Sequence, residues 1–161
     1  MSLRIVSAAL VALSLARSGV AAAQSTPRSL RAVRPEAPTP VLGVLHRIEG
    51  RLRATRYTHV THVDEAAGRY DFDCSGMAAW VLARAAPHAH AAVMTFNGRG
   101  RPVASDYHDV IAAAPVDRAR AGWLRIDHAR ELRPGDVIAW RRPPAVASRN
   151  TGHVLFVAGA P

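Results

Sequence analysis

The sequence predicts an α+β domain, and three observations carry that expectation. Apolar residues recur at helical spacing through the first half of the chain, and compact β-like runs bounded by glycine and proline follow in the second. Neither an internal repeat nor a regular strand–helix alternation is present, which argues against a solenoid or a doubly wound sheet. At 161 residues the chain has room for one ordinary domain with an appendage. Its hydrophobic share of 49% against 20% charged is enough to build a core and argues against wholesale disorder.

Residues 1–23 read as an export signal. Arg4 gives a positive start, residues 5–15 form an apolar run, and Ala21, Ala22 and Ala23 precede Gln24 as a cleavage site. The run is too short to cross about 30 Å of hydrocarbon, so no stable membrane insertion is expected. Residues 24–40 hold Pro27, Pro35, Pro38 and Pro40 with three arginines, the composition of an extended linker. The folded domain is expected over 41–161, with truncation at the C-terminus as one reading of its abrupt end.

Within it, Leu42, Leu45, Ile48 and Leu52 mark a first helix by their three- and four-residue spacing. Residues 57–70 are polar and irregular and read as an ordered loop. A second helix is expected over 75–86, with Met77, Trp80, Val81 and Ala85 as its apolar stripe and Pro87 as its stop. Residues 88–101 read as a connection containing a short strand over 91–96, and 104–114 as a helix closed by Pro115. Two β-like pieces follow, 123–126 and 136–140, around the turn Arg133-Pro134-Gly135. After a loop over 141–152, residues 153–158 form an apolar run between Gly152 and Gly159, which reads as a buried strand.

The 21 basic residues outnumber 12 acidic ones, for a net charge of +9, and every one of them is arginine. Removal of the signal, with Arg4 and Arg17, would leave a net charge of about +7, suited to anionic partners: acidic wall polymers, lipid head groups or nucleic acid. No aromatic–basic interleaving or nucleic-acid motif accompanies the arginines, so a nucleic-acid partner is not expected and a solvated charged surface is. Cys74 is the sole cysteine, which excludes an intrachain disulfide and a Cys-rich zinc site.

Chemistry concentrates in Asp71-Phe72-Asp73-Cys74-Ser75-Gly76-Met77. Here the thiol falls in the first turn of a helix, where unpaired N–H groups and the helix dipole favour thiolate and can hold an oxyanion. Asp73 can accept backbone bonds around the turn, and Gly76 admits a close neighbour. A buried, inert cysteine is the plain alternative. A cysteine nucleophile needs a base, and His153 is chosen from eight histidines because it opens an apolar strand behind glycine, where a polar side chain has least reason to be. His59, His62, Asp64 and Glu65 have a spacing that metal sites also use, but a loop bordering the groove is the preferred reading, and no metal or other cofactor is expected. Trp80, Trp123 and Trp140 read as core and groove-wall residues.

Taken in order, Asp73-Cys74-Ser75-Gly76 before a helix, Leu132-x-Pro134-Gly135-Asp136 running to Trp140, and Gly152-His153-Val154 before an apolar run resemble the NlpC/P60 family of papain-like cysteine hydrolases. The resemblance covers roughly 41–158, with 87–122 undiagnostic. It implies a nucleophile helix packed on a small antiparallel sheet, and hydrolysis of peptidoglycan stem peptides, typically between D-glutamate and diaminopimelate. It further implies Cys74 as nucleophile, His153 as base, and an upstream tyrosine lining the site, Tyr57 before Tyr70. Tyr57, Asp73 and Ser75 are the expected substrate-binding or oxyanion residues, in an exported monomer of the cell envelope. One departure stands out: residues 154–161 hold no polar side chain to orient His153, and Asp127, His128 and Asn150 do not sit where the family would place one. Two alternatives therefore accompany the hydrolase: an amidase or acyltransferase on another substrate, and a degenerate wall-binding module of the same fold.

Overall fold

The computed structural model describes residues 39–96, 98, 100–148 and 150–159. The expected signal, and the linker up to residue 38, lie outside the described residues. The linker ends earlier than the sequence suggested, because Thr39 is already a helix cap. Its Oγ1 accepts the Leu42 N–H at 3.3 Å, and Pro40 takes a first-turn position where no N–H is needed. Helix α1 (Pro40–Arg51) then buries Val41, Leu42 and Val44.

The polar stretch after α1 is not simply a loop. It forms β1 (Ala54–Arg56), β2 (His62–Asp64) and β3 (Arg69–Asp71), ordered β1-β3-β2, with β1 parallel and β2 antiparallel to β3. Three-residue strands leave too little alternation to read, and only Tyr70 and Asp71 among them are buried. Asp64 closes the β2–β3 turn by accepting the Ala67 N–H at 2.9 Å.

Helix α2 (Cys74–Ala85) and helix α4 (Ala104–Ala113) fall where their stripes and stops predict. Between them lies a correction. The segment read as a connection with a short strand is helix α3 (Pro87–Phe96). Pro87 both ends α2 and starts α3, as its fixed φ and missing N–H allow, while Ala89 and Val93 bury one face. A second correction concerns 123–126, which form no strand and contribute only a lone bridge between Arg120 and Trp123. Trp123 is nonetheless anchored, its indole N–H donating to Ala89 O at 3.0 Å.

Strands β4 (Val137–Arg141) and β5 (Gly152–Phe156) form an antiparallel pair. Val137, Ala139, Val154 and Phe156 share the face that packs on the core, joining Ala78, Val81 and Leu82 of α2, Val93 of α3 and Tyr107 and Val110 of α4. Alternation sends Ile138, Trp140, His153 and Leu155 to the other face. The protein is thus a mixed α+β fold with α2 packed against α1, α3 and β5. No helix among the described residues is long and apolar enough to cross a membrane.

Candidate active site around Cys74

Cys74 is the first residue of α2, half-buried against the core, and Asp73 is the helix cap. The Asp73 side chain is only 5% exposed and gathers donors from several parts of the chain. Its Oδ1 accepts Gly76 N–H at 2.7 Å, Ser75 Oγ–H at 3.0 Å and Arg101 Nη2–H at 2.5 Å, while Oδ2 lies 2.7 Å from His59 Nδ1. Burial pushes this carboxyl upward, but the bonds from His59, Gly76, Arg101 and Ser75 outweigh it and hold the group below its ordinary value. An ionised carboxylate only accepts, so His59 donates through Nδ1 and its Nε2 is left for other work.

With Gly76 N–H taken by the cap and Met77 N–H by Asp73 O, the N–H groups of Cys74 and Ser75 are the helix donors not used in capping. They are the groups an oxyanion on Cys74 would need. Ser75 is buried, and its hydroxyl is occupied, donating to Asp73 and accepting from Arg101 at 3.3 Å. What Ser75 offers a substrate is therefore its backbone. Tyr107 fixes the same turn from α4, its O–H donating to Ser75 O at 3.3 Å, and burial drives its phenol pKa upward. Gly76 does admit a neighbour: a Cβ there would stand 2.6 Å from Thr61 Oγ1.

Of the two candidate tyrosines, Tyr57 is the one beside the thiol. Its Oη lies 4.0 Å from Cys74 Sγ, the ring is 68% exposed, and desolvation and the proximity of Cys74 raise its pKa. Tyr70 is buried in the core, edge-on to Trp80.

His153 is placed differently. Tyr107 and Asp109 lie two residues apart on α4 and tie to Ser75 and Arg141 respectively, and Arg141 pairs with Gly152. The start of α2 and the hairpin end that holds Gly152 are thus each tied to α4, through residues on different faces of that helix. Within that arrangement the His153 ring rests on Trp140, centroids 5.1 Å apart, on the strand face opposite Val154. No hydrogen bond joins it to Cys74; the bond that Sγ makes is the long one with Tyr57. Nor, among the described residues, does an orienting hydrogen bond reach it. Asn150 spends its Oδ1 on Gly152 N–H at 2.8 Å, and Asp127 is held by Arg125 at 2.9 Å.

Compared with known proteins, the chain matches no family model, no curated protein and no solved structure.

The histidine–acid loop is dispersed rather than gathered. His59 serves Asp73, Asp64 caps a turn, and Glu65 lies between Arg51 and Arg84; no group of three or more candidate ligands assembles among the described residues. A cavity of about 580 Å³ sits away from the thiol between Leu82 and Ala86 of α2, Trp123 and Val137. Neither Cys74 nor His153 lines it, so chemistry, not volume, singles out the α2 start. Two residues of that network carried no sequence signal. Arg101 and Tyr107 reach Ser75 from 26 and 32 positions away, a pairing only the folded chain creates.

Proposed function

We propose that the chain is an exported cysteine hydrolase of the papain-like NlpC/P60 kind, cleaving amide bonds in peptidoglycan stem peptides of the D-glutamyl–diaminopimelate type. The observation that carries this reading is the thiol on the first residue of a capped helix, with the Cys74 and Ser75 N–H groups not taken by the cap and Tyr57 Oη at 4.0 Å, where it also faces the Cys74 N–H. In the proposed reaction the Cys74 proton passes to His153 and the thiolate attacks the scissile carbonyl. The Cys74 and Ser75 N–H groups hold the resulting oxyanion. Collapse expels the amine, which takes the proton back from His153 and leaves a thioester; water, deprotonated by the same imidazole, then releases the acid and the free thiol. For this, His153 must turn from Trp140 towards Sγ.

A second reading has its own support: the His153–Trp140 contact, on the face away from the core, suits a wall-binding module of the same fold without turnover. Digestion of purified muropeptides separates the two. The hydrolase reading expects cleavage that Cys74→Ala and His153→Ala each abolish. Binding to wall peptides without cleavage by any form, and alkylation of Cys74 no faster than free cysteine, would overturn it in favour of the second.

A further inference from the structure

Beside the α2 start, on a different helix face from Cys74, lies an open cavity of about 510 Å³. Its floor is the small-residue row Gly76, Ala79 and Ala83, and its apolar walls come from Trp80, Met94 and Pro102. The polar groups that rim it are Arg84, Arg101, His59, His90 and Thr61, with no aspartate or glutamate among the described lining residues. That combination is an anion pocket by composition, and the two arginines give it geometry.

Arg84 is already oriented. Its guanidinium lies 3.6 Å above the Trp80 ring centroid and donates to Trp80 O at 3.3 Å, so little freedom remains to be lost on binding. Its carboxylate partner Glu65 is shared with Arg51 at 3.7 Å, so one negative charge serves two positive ones. Arg101 is anchored from one side only. Nη2 holds Asp73 and Ser75, while Nη1 has no partner among the described residues and is not buried. Asp73 offsets part of the Arg101 charge from beneath through its 2.5 Å ion pair, and Arg101 Nη1 is the guanidinium nitrogen left for an occupant. Burial also pulls the His90 pKa down, which keeps that imidazole a neutral hydrogen-bonding group on the wall.

We propose that this cavity binds a small organic oxyanion carried on a flat apolar body, with the anion between Arg84 and Arg101 and the body against Trp80 and Met94. The site is independent of whether Cys74 performs hydrolysis. Since Arg101 also holds the α2 cap, an occupant would compete with Asp73 for one guanidinium.

The test is a titration of the full chain with benzoate, with its neutral isostere benzamide, and with inorganic phosphate, followed by amide and imidazole NMR shifts. Benzoate should perturb His90 and the residues flanking Arg84 and Arg101, and bind about tenfold or more tightly than benzamide, as expected of one charge-assisted pairing. Phosphate should compete more weakly than benzoate; phosphate binding as tightly as benzoate would overturn the role of the apolar body. Arg84→Gln, which leaves the Asp73 cap intact, should weaken benzoate by a similar factor, and Arg101→Gln should do so with altered shifts at Gly76. Equal binding of benzoate and benzamide, or benzoate affinity unchanged in a folded Arg84→Gln protein, would overturn the proposal. So would shifts confined to the cavity near Trp123.

Discussion

At the start of α2 one buried carboxylate collects four donors, and a tyrosine from α4 pins the turn from behind. At the start of β5, His153 has a ring contact with Trp140, and the nearest amide side chain is spent on Gly152. The thiol half of the candidate site is over-determined, whereas the imidazole half is held by one aromatic contact. Both element ends are tied to α4, but only one has the bonds that fix a side chain.

The sharpest way to break the contrast is to strip the dense end. Asp73→Ala removes the cap and leaves Arg101 and His59 without their carboxylate, so it should lower unfolding free energy by about 2–4 kcal/mol. Asn150→Ala, the matching change near His153, should cost about 1 kcal/mol or less; urea titration of both variants compares the ends directly. Equal losses would erase the distinction.

Activity sharpens it next. Alkylation of Cys74 should survive while muropeptide turnover is weak, because alkylation needs only the sulfur and turnover needs an aligned imidazole. Tyr57→Phe should change the alkylation rate several-fold, while His153→Ala should leave it within about twofold. A large drop on removing His153 would mean that the imidazole visits the thiol more than its Trp140 contact implies.

The pH dependence follows from Asp73. Its folded pKa is depressed, so the unfolded chain binds the proton more readily. The stabilisation is complete above the ordinary carboxylate value, about 3.9, and is lost as pH falls through the lower folded value. The stability gap between the native protein and Asp73→Asn should therefore shrink on acidification below about pH 4. A gap that stays constant to pH 2 would assign the loss to packing. The smallest effect belongs to Trp140→Ala, which should shift the His153 imidazole resonances with less than about 0.5 kcal/mol of stability, since Trp140 is half exposed.

How much of this the sequence discloses depends on the range of the forces involved. Helix α2 is legible because its cap, its apolar stripe and its proline stop are all local. Helix α3 is not, since alanine and histidine dominate it and only Ala89 and Val93 declare a buried face. Strands β1 to β3 escape notice because β1 finds its partner across an intervening strand and turn rather than through its own alternation. The same holds at the site. Asp73, Cys74 and Gly76 announce themselves by adjacency, and Tyr57 by position before them. Arg101 is written nowhere near the carboxylate it holds, and the side of the strand that His153 occupies depends on register, which Trp140 and Val154 settle only when the hairpin pairs.

The Gly76 contact reaches further than the first turn. Thr61 abuts the helix where a side chain would begin, and the loop that holds it also carries Tyr57 and His59. The clearance at that point is less than one methyl group, so it works as a gauge setting the distance between loop and thiol. Enlarging residue 76 by a single carbon would crowd Thr61 Oγ1 at 2.6 Å and Asp73 Oδ1 and Phe72 Cβ at 3.2 Å, so the strain falls on the loop and the cap together. One missing carbon on α2 thus sets how closely the loop carrying Tyr57 and His59 can approach sulfur.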